Sequence, residues 1–179
     1  MRIIAGKHRS RRLESVPSDK TRPTLDKIKE SLFQRIGPYF DGGHFLDLFA
    51  GSGSIGLEAL SRGIDYVVLV DNQKLAINTI EKNVKLLKEE ENVKILRMDY
   101  QLAIDSLLQQ SQGFEYIYCD PPYHFNDYEQ LLSKLKPLLK ENGLLLVECE
   151  HELCINDDWE TLDVYTYRSQ LIYKLRNIK

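Results

Sequence analysis

From His44 to Cys149 the chain alternates short apolar runs with segments of helical spacing, and this alternation constrains the fold more than any other feature. Residues 45–48, 66–70, 93–97, 114–119 and 144–149 are rich in Val, Ile, Leu, Phe and Tyr, as buried strands are. Between them, residues 55–61, 74–87, 102–108 and 128–139 place apolar side chains at helical spacing. Strands that alternate with helices predict an α/β fold, a parallel sheet covered on both faces. Ahead of this region residues 3–5 read as a short strand, followed by a polar, basic stretch to Pro23. Leu25, Ile28, Leu32, Phe33 and Ile36 then predict a helix, with Thr24 placed to cap it and Gly37-Pro38 to end it. At the other end residues 161–167 and 170–175 read as two strands joined at Arg168-Ser169. Such a hairpin should add an antiparallel edge strand to the sheet.

A length of 179 residues suits one domain. A chain of this size buries about 70% of its unfolded surface, so it needs no disulfide or metal to hold it. No run approaches the roughly 18 apolar residues of a membrane span, and the basic start lacks a signal-peptide apolar core. The expectation is a cytoplasmic protein with no membrane partner. Cys119, Cys149 and Cys154 form no CxxC pair and read as inert thiols. The four histidines show no HxxxH or HExxH spacing, so no metal site is expected.

The net charge of −3 conceals an asymmetry. Residues 1–35 hold ten Lys and Arg against four Asp and Glu, whereas the remainder holds fourteen against twenty-three. A basic arm on an acidic body fits a polyanion contacted at one end, and equally fits a solvated tail. The run Glu89-Glu90-Glu91 reads as a solvated helix end.

In an open α/β sheet, ligands bind beyond the carboxyl ends of the strands, so three strand ends matter. Gly51, Gly53 and Gly56 match GxGxxG at a strand-to-helix turn, a spacing that nicotinamide enzymes share. Asp47 stands before those glycines, where an acid would repel a diphosphate but attract the ammonium and sulfonium of S-adenosylmethionine. Asp71 ends the next strand and is placed to accept both ribose hydroxyls. Asp99 follows the third strand and suits an adenine amino group, a helix N-cap, or both. Phe49, Ser52, Asn72 and Tyr100 flank these positions and complete the expected cofactor set.

Asp120-Pro121-Pro122-Tyr123 follows the fourth strand. An exocyclic base amino group is a poor nucleophile because its lone pair is delocalised into the ring. It attacks a methyl only when acceptors hold its hydrogens and favour a pyramidal nitrogen. The Asp120 carboxylate and the Pro121 carbonyl can supply two such acceptors, on a loop stiffened by consecutive prolines. Asp120 is close enough in sequence logic to face the cofactor as well, and Tyr123 offers a ring on which an extruded base can stack.

Together these residues resemble the class I, Rossmann-like amino-methyltransferases. More closely, the chain is similar to the bacterial methyltransferases that modify the 2-amino group of a guanine in small-subunit (16S) ribosomal RNA. The resemblance spans nearly the whole chain: Arg2-Ile3-Ile4-Ala5-Gly6, Thr21-Arg22-Pro23-Thr24, DLFAGSGSIGLEALSRG at 47–63, and DPPY at 120–123. It implies cofactor binding at Asp47, Gly51, Gly53, Asp71 and Asp99, catalysis around Asp120–Tyr123, and S-adenosylhomocysteine as the other product. It implies a sheet of seven strands, mostly parallel, and ribosomal RNA or the small subunit as partner. The basic extension, residues 1–40, is then the expected RNA-binding element, with Lys7, Arg9, Arg11, Arg12, Arg22 and Thr24 as candidate contacts. Two positions depart from the family. Asp71 stands where Glu is commoner, and Ser10 replaces a common glycine. DPPY also serves adenine and cytosine amino-methyltransferases, on DNA or RNA, so the guanine rests on the resemblance. The absence of an inserted target-recognition domain disfavours a DNA enzyme. The intact Asp120 and glycines disfavour a non-catalytic RNA-binding module.

Overall fold

The computed structural model describes residues 1–17, 25–167 and 170–178. Its elements run α1 (Leu25–Ile36), β1 (His44–Asp47), α2 (Ser54–Ser61), β2 (Tyr66–Asp71), α3 (Lys74–Leu87) and β3 (Val93–Arg97). They continue with α4 (Tyr100–Gln109), β4 (Phe114–Cys119), α5 (Tyr128–Leu135), β5 (Leu139–Cys149), β6 (Trp159–Tyr167) and β7 (Gln170–Asn177). The strands form one sheet in the order β3-β2-β1-β4-β5-β7-β6. The first five are mutually parallel, and β7 pairs antiparallel with both β5 and β6. The sheet is thus mostly parallel, as expected, with one refinement. The hairpin contributes two antiparallel strands, and β7 is inserted between β5 and the edge strand β6.

Both faces of the sheet are covered, which is why the strands read as continuous apolar runs rather than alternating ones. Val67 and Leu69 of β2 pack with α1, α2 and α3 in one cluster, while Val68 and Val70 pack with α4 and α5 in the other. Gly56 brings α2 onto β2 without an intervening side chain. A Cβ there would lie 2.4 Å from Leu69 and 2.8 Å from Val67. No helix among the described residues is long and apolar enough to cross a membrane.

Three local expectations are corrected. Residues 3–5 are not a strand: an isolated bridge pairs Arg2 with Arg12, while the Ile4 and Ala5 amides donate to the Glu58 carboxylate at 2.8 and 3.0 Å. A side chain therefore takes the hydrogen bonds that a strand partner would have taken. The helix expected to reach Leu139 ends at Leu135, and a 3-10 turn over Lys136–Leu138 carries Pro137. Leu135, Leu138 and Leu139 keep helical spacing, which masks the break from the periodicity. Glu89 is buried rather than solvated, its carboxylate held by Lys7 at 2.8 Å and His8 at 2.5 Å. Those contacts hold the carboxyl below its usual range, although burial opposes them.

The basic arm is folded back on the body. Ile3 and Leu13 are buried, and backbone bonds from Ile3 to Arg11 and from Leu13 to Met1 close residues 1–13 into a loop. Gly6, at φ +85°, touches α2 so closely that a Cβ would sit 1.7 Å from the Ser61 carbonyl oxygen. Ser10 has φ +70°, which explains why a glycine suits this position. Serine there costs about 1–2 kcal/mol of backbone strain. Beneath the arm lies a buried ion cluster. Glu58 bonds Arg62 at 2.8 Å and pairs with Lys29 at 3.4 Å, and Lys29 donates to the Arg2 carbonyl at 2.6 Å. Thr24, proposed as the cap of α1, and the turn Arg168-Ser169 lie outside the described residues.

Candidate active site

The order β3-β2-β1-β4 reverses direction of progress between β1 and β4, and the crevice beyond their carboxyl ends is where such sheets bind ligands. Two cavities lie there, of about 360 and 340 Å³. Phe49, Asp120 and Pro122 line both, so the cavities adjoin at the ends of β1 and β4.

The smaller cavity has the chemistry of a nucleoside site. Asp71, Asn72, Asp99 and Tyr100 line it, and Phe125 closes it against Phe49 and Tyr100, with ring centroids 6.2 and 5.7 Å away. Asp71 does more than face the cavity. Its carboxylate accepts from Gly51 N at 2.9 Å and Gln73 N at 2.8 Å, tying β2 to the glycine turn. Asp99 caps α4 by accepting from Gln101 N at 2.9 Å, while its exposed carboxylate still lines the cavity. The N-cap role and the cavity position coexist.

The larger cavity holds Asp47, Gly51, Ser52, Asp120, Pro121, Pro122 and Tyr123. Gly51 has φ +56°, and no atom lies within 4 Å of where its Cβ would be, so the turn leaves open space beside the chain. Gly53, at φ +77°, starts α2 and is buried away from that space against Leu69 and Ile80. Asp47 is 1% exposed. Its Oδ2 accepts from Gly56 N at 3.1 Å, but its Oδ1 has no hydrogen-bond partner among the described residues. Burial pushes its carboxyl up to about 7, and Asp120 and Asp71 add to the rise while the Gly56 amide opposes it. A buried carboxylate oxygen without a donor is costly, and a cation arriving at this cavity would offset that cost. The donor set fits the ammonium of S-adenosylmethionine, with Asp71, Asp99 and the Phe49–Phe125 rings around the nucleoside end.

Asp120 and Tyr123 are exposed at the mouth, where the chain leaves β4. The following residue, His124, adopts φ +67°, and its amide donates to Glu150 at 3.4 Å, which fixes the path of the loop. Among the residues absent from the sequence expectations, Lys29, Tyr118, Glu148 and Glu150 also line this cavity. Two of them carry a signal in the sequence. Lys29 lies on the apolar stripe of α1, one turn before Phe33, and Glu148 interrupts the apolar run of β5. Cys119 is buried and its thiol is pushed well up by burial, as an inert strand residue should be.

The basic candidates divide. Lys7 is committed to Glu89, while Arg9, Arg11 and Arg12 are exposed. Arg22 lies outside the described residues. Asn83 of α3 connects the arm to the site: it donates to the carbonyls of Glu14 and Ser52, both at 3.0 Å, and accepts from Glu14 N at 2.7 Å. Among the described residues no group of His, Cys, Asp and Glu is disposed to hold a metal ion.

This sheet order, with a glycine turn after β1 and acids ending β1, β2 and β4, defines a Rossmann-like methyltransferase fold. More particularly, the chain belongs to the family described as conserved hypothetical protein 95, whose model matches residues 1–176. It is 39% identical to Ribosomal RNA small subunit methyltransferase D of Haemophilus influenzae, over 94% of this chain and 92% of that protein. It is 42% identical to Bacillus subtilis YlbH over 86% of this chain and 84% of that protein. The solved structure of Escherichia coli yhhF superposes with a TM-score of 0.84 at 29% identity, covering 99% of this chain and 97% of that one.

Proposed function

We propose that this protein transfers a methyl group from S-adenosylmethionine to the 2-amino group of a guanine in small-subunit ribosomal RNA. The observation that carries the reading is the position of Asp120-Pro121-Pro122-Tyr123, at the junction of a nucleoside-shaped cavity and an acid-lined one. The name of the Haemophilus relative supports the RNA class. S-adenosylmethionine, when bound, supplies a methyl group on a cationic sulfur. Asp47 holds the amino-acid end, and Asp71 and Asp99 hold the nucleoside end. Asp120 and the Pro121 carbonyl accept from the target amino group, keep its nitrogen pyramidal and stabilise the charge that develops on it, and Asp120, open to solvent, takes the proton that the methylated nitrogen sheds. Tyr123 stacks on the base. Residues 1–40 form the RNA-binding extension, presenting Arg9, Arg11 and Arg12.

The test is labelled methyl transfer to small-subunit RNA and to small subunits lacking the modification, followed by nucleoside analysis. Label in N2-methylguanosine is expected. Label in methyladenosine or methylcytosine, or none, would overturn the reading.

The cofactor assignment has its own test. S-adenosylmethionine at 100 times its dissociation constant should stabilise the fold by about 2.7 kcal/mol, and NAD should not. Asp47 also sets a pH dependence. Its raised carboxyl must be ionised to pair with an ammonium, so affinity should weaken about tenfold for each pH unit below about 7 and level off above it. Titration of cofactor binding across that range is the measurement. A melting shift with NAD, or an affinity flat through about 7, contradicts the assignment.

A further inference from the structure

We infer that Glu148 reads the Watson–Crick edge of the target base, accepting the N1–H of a guanine whose 2-amino group is held at Asp120. This deepens, and rests on, the reading of the site as a guanine amino-methyltransferase. Glu148 ends β5, beside the strand that carries Asp120, and lines the same cavity. It is 4% exposed. Its Oε1 accepts a short hydrogen bond from the Tyr118 hydroxyl. No cation among the described residues pairs with it, since the nearby Lys29 is engaged by Glu58 and the Arg2 carbonyl. An ionised carboxylate buried without a counter-ion is costly, so the free group rests largely neutral near pH 7, and a ligand donor favours its ionised form.

The cavity indicates which donor. Its described lining holds four acids, Asp47, Asp120, Glu148 and Glu150, against Lys29 alone. Such a surface rejects phosphate and selects a ligand rich in N–H groups. Asp47 is matched by the cofactor ammonium. The base must then present more donors than its amino group if Asp120, the Pro121 carbonyl and Glu148 are all to be satisfied. Adenine and cytosine offer only the two amino hydrogens on that edge. Guanine offers three, with N1–H adjoining the 2-amino group. Guanine is therefore favoured by the chemistry of the cavity as well as by resemblance.

The groups that face Glu148 are Tyr118 and Asp120 from β4 and its loop, Asp47 from β1, Tyr128 from α5, Tyr165 from β6 and Lys29 from α1. Burial pushes the Glu148 carboxyl up to about 8, reinforced by Asp120 and Asp47 and opposed by the Tyr118 bond. Its ionised form accepts N1–H more strongly than the neutral acid, whose O–H can instead donate to a bare N1, so discrimination should strengthen as pH rises through about 8.

The probe is small-subunit RNA in which the target guanosine, located by the nucleoside analysis above, is replaced by 2-aminopurine. This base keeps the 2-amino group but has a bare N1. Wild type should methylate guanine roughly 10- to 100-fold faster, the range expected for one hydrogen bond to a charged acceptor. In Glu148→Gln that ratio should collapse toward one, because the amide can donate to the bare N1. Cofactor affinity should not change. If Glu148→Gln does not fold, the pH dependence of the ratio in wild type still decides, because a group that acts equally on both substrates cancels in the ratio. Methylation of guanine N2 with no discrimination, with discrimination unchanged in Glu148→Gln, or with a ratio flat through about 8 overturns this inference alone. Methylation at another atom overturns both it and the reading on which it rests.

Discussion

Asp120→Ala should lower turnover about 100- to 1,000-fold while leaving cofactor affinity intact. The size is that of losing one preorganised group aimed at charge developing in the transition state. The separation of effects follows from the lining of the site. In the proposed site the nucleoside end belongs to Asp71 and Asp99, whose carboxylates are anchored by the Gly51, Gln73 and Gln101 amides, and to the Phe49–Phe125 rings. At the other end, Asp120 raises the carboxyls of both Asp47 and Glu148. Its removal therefore favours ionised Asp47, so cofactor affinity near neutral pH should hold or rise slightly. Asp120→Asn keeps an acceptor oxygen without the charge and should lose less. Single-turnover rates with saturating cofactor, beside cofactor titrations, make the comparison. Near-normal turnover in Asp120→Ala would remove the catalytic role from this loop. A large loss of cofactor affinity would reassign Asp120 to cofactor binding.

The central strands β1, β2 and β4 are legible because they are largely buried, leaving apolar runs bounded by acids, glycines or polar turns. The acids at the strand ends were legible for the same reason. A carboxylate at the end of a buried strand stands out, and the topology carries it to the crevice. What the sequence concealed was long-range pairing. Glu58 sits mid-helix in α2 and looks solvated by periodicity, yet it is fully buried by the arm amides, Arg62 and Lys29. Glu89 lies in an acidic run, yet its carboxylate anchors Lys7 and His8 across more than 80 residues. Asp71 is expected from the sequence at the ribose, and the structure shows its carboxylate tying β2 to the glycine turn through Gly51 N. Apart from Arg62, at i+4 from Glu58, these partners are backbone amides or side chains distant in sequence, for which spacing gives no signal.

These pairings bear on how the two ends of the molecule work together. Asn83 is fully buried and bridges Glu14, at the end of the arm, to Ser52 in the glycine turn. The Met1 sulfur also receives the Ser52 hydroxyl at 3.6 Å. Residues 1–14 are therefore a fixed platform beside the larger cavity rather than a tail. That changes what its exposed arginines can do, because their positions relative to Asp120 are set before RNA arrives. Less conformational entropy is lost on binding than for a disordered basic segment.

Replacing Arg11 and Arg12 together with Glu should weaken RNA binding sharply and flatten its salt dependence. Lys7 is held by Glu89 and the exposed Arg2 is paired with Asp26 at 3.6 Å, so the described arm offers three further exposed arginines, Arg9, Arg11 and Arg12, to a phosphate backbone. Each phosphate contact on single-stranded RNA contributes roughly 0.7 to the slope of log affinity against log salt, giving about −2 for the three. The double variant keeps one and should fall to about −0.7. At about 0.1 M salt, the two lost contacts correspond to roughly 25-fold in affinity, and the introduced carboxylates add repulsion. The Michaelis constant for RNA should rise accordingly, while turnover at saturating RNA changes little, since neither residue lines the cavities. Cofactor affinity should also hold, because the arm is anchored through backbone groups to Glu58, Ser61 and Asn83 rather than through these side chains. RNA affinity at several salt concentrations, with cofactor titration beside it, provides the measurement. An unchanged slope with full activity would show that the RNA is held by another surface, and that these arginines face only solvent.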